Sequence, residues 1–109
     1  MPTNYKVLGQ SNPSATTATT LYTVPSSTQT VVSTIVVCNQ AASAATFRIA
    51  VRPDGASLAA QHYVAYDVTV GASDSTALTL GITLGDTDVI TVYASTSTLS
   101  FSAFGSEIA

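Results

Sequence analysis

The single histidine of this 109-residue chain, His62, is the first candidate for a catalytic base. A hydrolytic triad would need it beside an activated serine and an orienting carboxylate, and Ser57 and Asp67 lie near it in the sequence. The chain has no Gly-x-Ser-x-Gly segment, which would present such a serine on a strained turn. We therefore predict that His62 is a surface or turn residue and that the protein is not an enzyme.

Cys38 and the segment 86–88 are the other candidates for chemistry. Cys38 lies within an apolar stretch, where a free cysteine is expected to fill space as a small hydrophobe. Residues 86–88, Asp-Thr-Asp, place two carboxylates one residue apart, but the third acidic ligand and the trailing glutamate of a calcium loop are missing. Hydrogen bonding within a turn already explains these aspartates. The sequence thus predicts neither a metal nor another cofactor.

Charge is scarce in the sequence, and this excludes several kinds of partner. Only 8% of the residues are charged and the net charge is -3, whereas an average soluble domain has about 25% charged residues. The three basic residues, Lys6, Arg48 and Arg52, are too few for the roughly 6–10 phosphates that a DNA-binding protein contacts. No stretch approaches the ~20 apolar residues of a membrane span. We expect neither nucleic acid nor a membrane as partner.

The N-terminal segment and the cysteine content indicate where the protein is made. Met1–Thr20 lacks the apolar core of a secretory signal, so we expect synthesis in a cytoplasm without export by that route. A single cysteine excludes an internal disulfide framework.

Apolar and polar residues alternate with a period of two along most of the chain, which indicates β-strands. The clearest case is 45–52, in which Phe47 and Ile49 face one way while Arg48 and Arg52 face the other. The segment 28–39 is apolar on both faces and is predicted to be a central strand. Strict alternation divides its side chains into two faces, with Val31, Ile35 and Val37 against Val32, Val36 and Cys38.

The remaining predicted strands are 5–8, 20–24, 63–70, 76–84, 88–94 and 98–104. In 63–70 one face is expected to hold Val64, Tyr66, Val68 and Val70, and in 76–84 the corresponding residues are Leu78, Leu80, Ile82 and Leu84. Gly81 is expected to mark a bulge or a close approach of another chain segment. Turn-forming residues at 52–55, 71–74 and 85–87 separate the strands.

The predicted fold is therefore all-β, a single antiparallel two-sheet β-sandwich of about eight strands, either a jelly roll or an immunoglobulin-like sandwich. Residues 1–20 are expected to form an N-terminal strand and an extended arm, and residues 21–109 the sandwich, within one domain.

Arg48 and Arg52 are the best candidates for an interface, because they share the polar face of one predicted strand and arginine is enriched at interfaces. Alternatively they are solvated, or they form internal ion pairs with Asp67 or Asp54. The predicted interface residues are Arg48, Arg52, Lys6 and Tyr5.

The surface composition also favours association with other subunits. Thr, Ser and Ala contribute 18, 14 and 16 residues, and the strand pattern places many of them where Lys and Glu usually lie. Such side chains cost little to desolvate. We expect a neutral sheet face and the polar segment 1–20 to make contacts with other subunits.

Seven segments, taken in order, resemble a family of small β-sandwich virion structural proteins from tailed bacteriophages, notably those of cyanobacterial and marine hosts. They are 6–10 (Lys-Val-Leu-Gly-Gln), 21–25 (Leu-Tyr-Thr-Val-Pro), 30–39 (Thr-Val-Val-Ser-Thr-Ile-Val-Val-Cys-Asn), 46–51 (Thr-Phe-Arg-Ile-Ala-Val), 66–70 (Tyr-Asp-Val-Thr-Val), 80–84 (Leu-Gly-Ile-Thr-Leu) and 104–108 (Phe-Gly-Ser-Glu-Ile). The resemblance spans almost the whole chain. It implies a capsid cement (decoration) protein of the virion that forms a homo-oligomer, preferably a trimer, and binds the major capsid protein or another virion protein.

The resemblance leaves a second place in the virion open, namely the tail, neck or fibre, where the protein would be a host-surface carbohydrate-binding module. Sandwiches often bind sugars through aromatic side chains and loop carboxylates. The predicted loops offer His62, Tyr63, Asp54 and Asp74, although the absence of tryptophan disfavours this alternative.

Overall fold

The computed structural model describes residues 2–109, and nine β-strands account for most of them. The strands are β1 (Thr3–Ser11), β2 (Thr19–Thr23), β3 (Gln29–Asn39), β4 (Ala45–Arg52), β5 (Tyr63–Val70), β6 (Ser75–Leu78), β7 (Ile82–Leu84), β8 (Val89–Ala94) and β9 (Leu99–Ile108). Two short 3-10 turns, Pro53–Gly55 and Ala60–His62, are the helical segments of this range, and neither has the length or apolarity to cross a membrane. The prediction of an all-β fold is confirmed.

The strands form two antiparallel sheets, as expected for a sandwich. Sheet A has the order β1-β9-β3-β6, and β7 also pairs with β3; sheet B has the order β2-β8-β4-β5. Because β6 and β7 pair with successive parts of β3, they fill one position of sheet A together. The chain then pairs with itself in nested order: β1 with β9, β2 with β8, β3 with β6 and β7, and β4 with β5. Eight positions in this order make a jelly roll, one of the two sandwich types predicted.

The core between the sheets is built from the inward residues of each strand. Phe47 of β4 and Phe101 of β9 meet edge to face at its centre, with ring centroids 6.1 Å apart. Ile49 is also buried, whereas Arg48 faces outward, so the predicted orientation of β4 is confirmed at these positions. Other large, fully buried side chains come from both sheets: Val24, Val32, Ile35, Val37, Val70, Ile90, Val92 and Leu99.

Strand β3 changes its alternation at a bulge, which lies between Val32 and Thr34 in the pairing with β9. Val32 faces the core before the bulge, and Ile35 and Val37 face it afterwards. The prediction that Val31 shares a face with Ile35 is therefore wrong. The bulge inserts one extra residue, so Val31 lies on the outer face and is 37% exposed.

Strand β5 bulges at Asp67, whose φ of 52° lies in the left-handed region. In the pairing with β4, Tyr66 and Asp67 both lie opposite Arg48. The extra residue reverses the alternation, so Val64 and Tyr66 are exposed, and the prediction that they share a face with Val68 and Val70 is wrong. The apolar residues that follow the bulge pack against the core, as predicted.

The predicted strand 76–84 is divided into β6 and β7 around Gly81. This glycine has a φ of 62°, and nothing lies within 4 Å of the position that a Cβ would take. Gly81 therefore marks a break in the strand, and the alternative of a close approach is wrong. Leu80 lies in the break and is 47% exposed, whereas Leu84 is buried, so the prediction that these two residues share one face is wrong.

The N-terminal twenty residues contain β1, which is longer than the predicted strand 5–8 and pairs with β9 along its length. The connection from β1 to β2, residues 12–18, is attached to the sandwich through Asn12. Its Nδ2 donates hydrogen bonds to the carbonyl oxygens of Ser97 and Leu99, at 2.9 and 2.7 Å.

Candidate functional site

The outer side of sheet A exposes apolar side chains close to the edge strand β1. Tyr5 and Val7 are 85% and 48% exposed, and Val31 of β3 is also exposed. Between these two strands, β9 places Phe104 opposite Val7, and Ser106 opposite both Tyr5 and Val31. Residues that lie opposite one another share a face of the sheet. We call the surface formed by these five residues the neutral face.

The outer side of sheet A carries no charged side chain within residues 2–109. Its strands contain two charged residues, Lys6 and Glu107. The Lys6 Nζ lies 3.0 Å from the Glu107 Oε1, and the Glu107 Oε2 accepts a hydrogen bond from Tyr22 of sheet B. Both charged groups are therefore directed to the inner side of the sheet. A partner that covers the five residues of the neutral face meets no charged side chain on that side of the sheet, although the neighbouring Lys6 side chain is 49% exposed.

Strand β1 forms an edge of sheet A and pairs only with β9 among the described strands. It is nine residues long and contains no proline, and the features that limit pairing at this edge are one lysine and a bulge between Val7 and Gly9. A shallow groove of about 620 Å³ runs beside it, lined by the neutral face together with Lys6, Ser33 and Gly105. The edge and the neutral face thus form one continuous surface.

A chain of hydrogen-bonded polar side chains connects the two sheets beneath this surface. The Tyr22 hydroxyl donates to the Glu107 Oε2 at 2.5 Å, and the Thr30 hydroxyl, 2.8 Å away, donates to the Tyr22 oxygen. Burial and the bond to Glu107 raise the pKa of Tyr22 to about 12. The bond from Tyr22 and the Lys6 ammonium lower the pKa of Glu107. This group fixes β1, β2, β3 and β9 relative to one another.

The outer side of sheet B has a different chemistry, centred on Arg48. Its guanidinium lies between two rings, 4.2 Å from the Tyr66 centroid and 4.4 Å from the Tyr93 centroid. The Arg48 Nε also donates to the Asp67 Oδ1 at 2.7 Å. Sequence reasoning considered an internal pair with Asp67 as an alternative to an interface role, and the pair is present.

The Arg52 side chain forms hydrogen bonds within the chain, but none of them is to Asp54. Its Nε donates to the Thr91 Oγ1 at 3.0 Å, and its Nη1 donates to the carbonyl oxygen of Ala56 at 3.1 Å. Asp54 lies instead beside the loop before β8, where the Thr87 hydroxyl donates to its carboxylate. The guanidinium of Arg52 therefore holds the loop that follows β4.

His62 is a turn residue, as predicted, but it is buried rather than at the surface. Its Nδ1 accepts a hydrogen bond from the backbone N–H of Ala59 at 3.1 Å, which closes the second 3-10 turn. The structure records no hydrogen bond from Ser57 or Asp67 to this ring in the described residues, so the three do not form a triad. Cys38 is only partly buried, because it faces the outer side of sheet A rather than the core.

The acidic loop residues are separated or already hydrogen-bonded. The Asp88 carboxylate accepts from the backbone N–H groups of Asp54 and Gly85, and no cluster of three potential metal-ligating residues occurs within residues 2–109. Asp74 lies at the other end of the sandwich, where its carbonyl oxygen accepts from the Asn39 N–H. The loop residues proposed for sugar binding, namely His62, Tyr63, Asp54 and Asp74, therefore do not form one site.

The four predicted interface residues lie on two opposite sheets. Tyr5 belongs to the neutral face, while Lys6, its neighbour, is directed inward to Glu107. Arg48 and Arg52 lie on β4 of sheet B. Sequence reasoning missed Glu107, although the alternation of β9 through its buried residues Leu99, Phe101 and Ala103 extends to that position and would have indicated an inward carboxylate.

Comparisons of the chain with protein-family models, curated proteins and solved structures find no match.

Proposed function

We propose that the protein is a non-enzymatic structural subunit of a bacteriophage virion, a capsid cement protein that binds neighbouring subunits through the neutral face and the edge of β1. The observation that carries the proposal is that, within residues 2–109, no charged side chain lies on the outer side of sheet A. Tyr5, Val7 and Val31 are exposed there, and the nearest charges, on Lys6 and Glu107, are paired on the inner side.

Desolvation favours contact through this surface. Covering a lysine or glutamate costs free energy unless the partner supplies a matching charge, whereas Val and aromatic side chains are favourable to bury and a serine hydroxyl needs only one hydrogen-bond partner. Exposed charged side chains keep proteins apart in solution. An isolated monomer therefore gains nothing from having Tyr5, which is 85% exposed, in place of a charged residue. A subunit surrounded by others gains a surface that many weak contacts can cover.

The open edge of β1 supplies the second element of the proposal. Its unpaired backbone groups can accept a strand from another chain, and the neutral face continues directly from this edge. We propose that the partners are further copies of this chain, as a homotrimer, and the major capsid protein or another virion protein. Repetition over a shell supplies avidity, so each contact can be weak. Jelly rolls occur in viral capsid and lectin domains, which agrees with the proposal by analogy of fold alone.

The proposal is tested by adding the purified protein to expanded capsids that lack it. We expect the wild type to co-sediment with the capsids and to raise their temperature of disruption, and we expect the Ser106→Lys variant to bind weakly. Thr69→Lys, which places the same charge on an exposed residue of β5, is the matched control.

Quantitative mass spectrometry of particles that contain the protein separates the cement role from a place in the tail, neck or fibre. Hundreds of copies per virion support a cement protein, since a head repeats its surface contacts by symmetry. A handful of copies would contradict the cement role and favour the tail, neck or fibre. If the protein does not bind capsids and is missing from the virion, the proposed function is wrong.

A further inference from the structure

The outer side of sheet B carries a second candidate binding surface. Its aromatic and polar side chains are separate from those of the neutral face. The bulge of β5 places both Tyr66 and Asp67 opposite Arg48, while β8 places Tyr93 opposite Arg48 on the other side. A regular strand would offer only one of the two β5 residues at this position. The bulge thus gathers a ring, a carboxylate and a guanidinium in one place.

The guanidinium of Arg48 is held in a fixed position. It stacks between the rings of Tyr66 and Tyr93, and two of its nitrogens face the carboxylate of Asp67, with Nε at 2.7 Å and Nη2 at 3.5 Å. We find no acceptor for its Nη1 within residues 2–109. The Arg48 side chain is 24% exposed and that of Asp67 is 48% exposed. Both groups can therefore reach a ligand without rearrangement, which lowers the entropic cost of binding.

A hollow of about 520 Å³ adjoins this group. It is lined by Leu58, Ala59, Ala60, Tyr63 and Tyr66. The rings of Tyr63 and Tyr66 meet edge to face, with centroids 5.0 Å apart, and Tyr66 is 56% exposed. The turn that supplies Ala59 and Ala60 is closed by the buried His62. The volume lies in the range of small-molecule sites and the walls are largely apolar, while Arg48 and Asp67 lie outside this lining and adjoin the hollow through Tyr66.

The charges around the hollow select the chemistry of its ligand. Asp67 neutralises Arg48, so an anionic ligand would have to compete with a carboxylate 2.7 Å from the guanidinium. A cationic ligand would lie close to the Arg48 guanidinium, which already covers one face of Tyr66 and repels a second positive charge, whereas a neutral ligand meets no such repulsion on the part of the ring that stays exposed. A neutral hexose offers C–H bonds that pack on a tyrosine ring and hydroxyl groups that both donate and accept hydrogen bonds. It matches an apolar hollow with one carboxylate and one guanidinium at its side.

We propose that this surface binds a neutral glycan, which packs on Tyr66 and Tyr63 in the hollow and hydrogen-bonds through its hydroxyls to Asp67 and Arg48. The site lies on the sheet opposite to the neutral face, so a subunit attached through sheet A would present it outward. The proposal does not depend on whether the protein occupies the head or the tail.

The test is a glycan array of neutral and anionic oligosaccharides, followed by calorimetric titration with the best neutral ligand. We expect the wild type to bind neutral hexose-containing glycans. Tyr66→Ala should weaken binding about tenfold or more, since it removes the ring on which the sugar packs. Asp67→Asn should also weaken it, and asparagine tolerates the positive φ of this position, so the bulge is kept.

Tyr5→Ala is the control, because it removes an exposed tyrosine from the neutral face on the opposite sheet. It should leave glycan affinity unchanged, and thermal melts should show that all three variants remain folded. The proposal is overturned if no neutral glycan binds, if anionic glycans alone bind, if Tyr66→Ala keeps full affinity, or if Tyr66 instead mediates contact with a protein. Each of these results leaves the capsid-binding test of sheet A unaffected, so the failure of one proposal is distinguishable from the failure of the other.

Discussion

The hydroxyl of Tyr22 lies 2.5 Å from the Oε2 of Glu107, and this hydrogen bond joins the second strand of the chain to its last one. It crosses from sheet B to sheet A, directly behind the neutral face. The bond gives the single glutamate of the chain a partner on the inner side of sheet A and leaves the outer side free of charge. The inward placement of Glu107 thus accounts both for the internal chain of hydrogen bonds and for the uncharged surface proposed for assembly.

Tyr22→Phe is expected to lower the free energy of unfolding by about 1–3 kcal/mol, because it removes the hydrogen bond to the Glu107 Oε2 and leaves the Thr30 hydroxyl without its acceptor, although Glu107 keeps its ion pair with Lys6. Chemical denaturation at neutral pH measures the effect. Tyr5→Phe removes a hydroxyl from an exposed ring and should change stability little. Equal effects for the two variants would show that the internal bond does not stabilise the fold.

The stability of the protein is expected to fall in acid through Glu107, whose pKa is lowered by the bond from Tyr22 and by the Lys6 ammonium. A carboxyl group with a lowered pKa in the folded state stabilises that state above its unfolded pKa of about 4.3, and the contribution is lost as the pH falls through the folded value. Glu107→Gln should be less stable than the wild type at neutral pH and should lose less stability on acidification.

Denaturation curves between neutral pH and pH 3 measure this difference. Asp86→Asn is the control, because Asp86 is exposed and the structure records no bond to its carboxylate among the described residues. A steeper acid loss in Glu107→Gln than in the wild type would contradict the role given to Glu107.

Gly105→Ala is expected to be strongly destabilising, by more than about 2 kcal/mol, because a Cβ at this position would overlap the carbonyl oxygen of Val31. Gly105 pairs with Val32 at the start of the β3 bulge, where the two strands approach closely. Gly85→Ala meets only ordinary contacts and should be nearly neutral. Thermal melts of both variants measure the difference. Similar melting temperatures would contradict the prediction, because they would mean that β3 and β9 can move apart with little loss of stability.

Asn39→Asp is expected to cost several kcal/mol, because the buried amide donates to backbone carbonyl oxygens that a carboxylate would repel. The acceptors of Asn39 Nδ2 are the carbonyls of Ser43, Val70 and Gly71, at 2.9 to 3.3 Å. Gln40→Glu, at the exposed position next to Asn39, is the control for the added charge. The denaturation midpoint should fall steeply for the first variant alone, and a small change would contradict the structural role of this amide.

The period of two in the sequence is sufficient to predict the strands, because it follows from alternate burial in a two-layer fold. It does not reveal a bulge, since one extra residue changes which side chains point inward without changing the composition. Val31 and Tyr66 were placed on the wrong faces for this reason, and both contribute to the surfaces proposed here.

The sites were less predictable than the fold, because they depend on pairs that are distant in sequence. Lys6 and Glu107 meet only because the first strand pairs with the last, and strand order cannot be derived from alternation. The ion pair between Arg48 and Asp67 could be considered from the sequence, as an alternative to an interface role, since both residues lie in predicted strands. Its stacking between two tyrosines required the order β5-β4-β8.

Sedimentation velocity of the wild type and of Ser106→Lys measures assembly through the neutral face, because Ser106 lies at the centre of this face and its side chain is not part of the core. We predict that the wild type sediments as a concentration-dependent homo-oligomer, that Ser106→Lys shifts to the monomer, and that Thr69→Lys associates like the wild type. A wild type that stays monomeric at every concentration, or a Ser106→Lys variant that associates unchanged, would contradict assembly through this face.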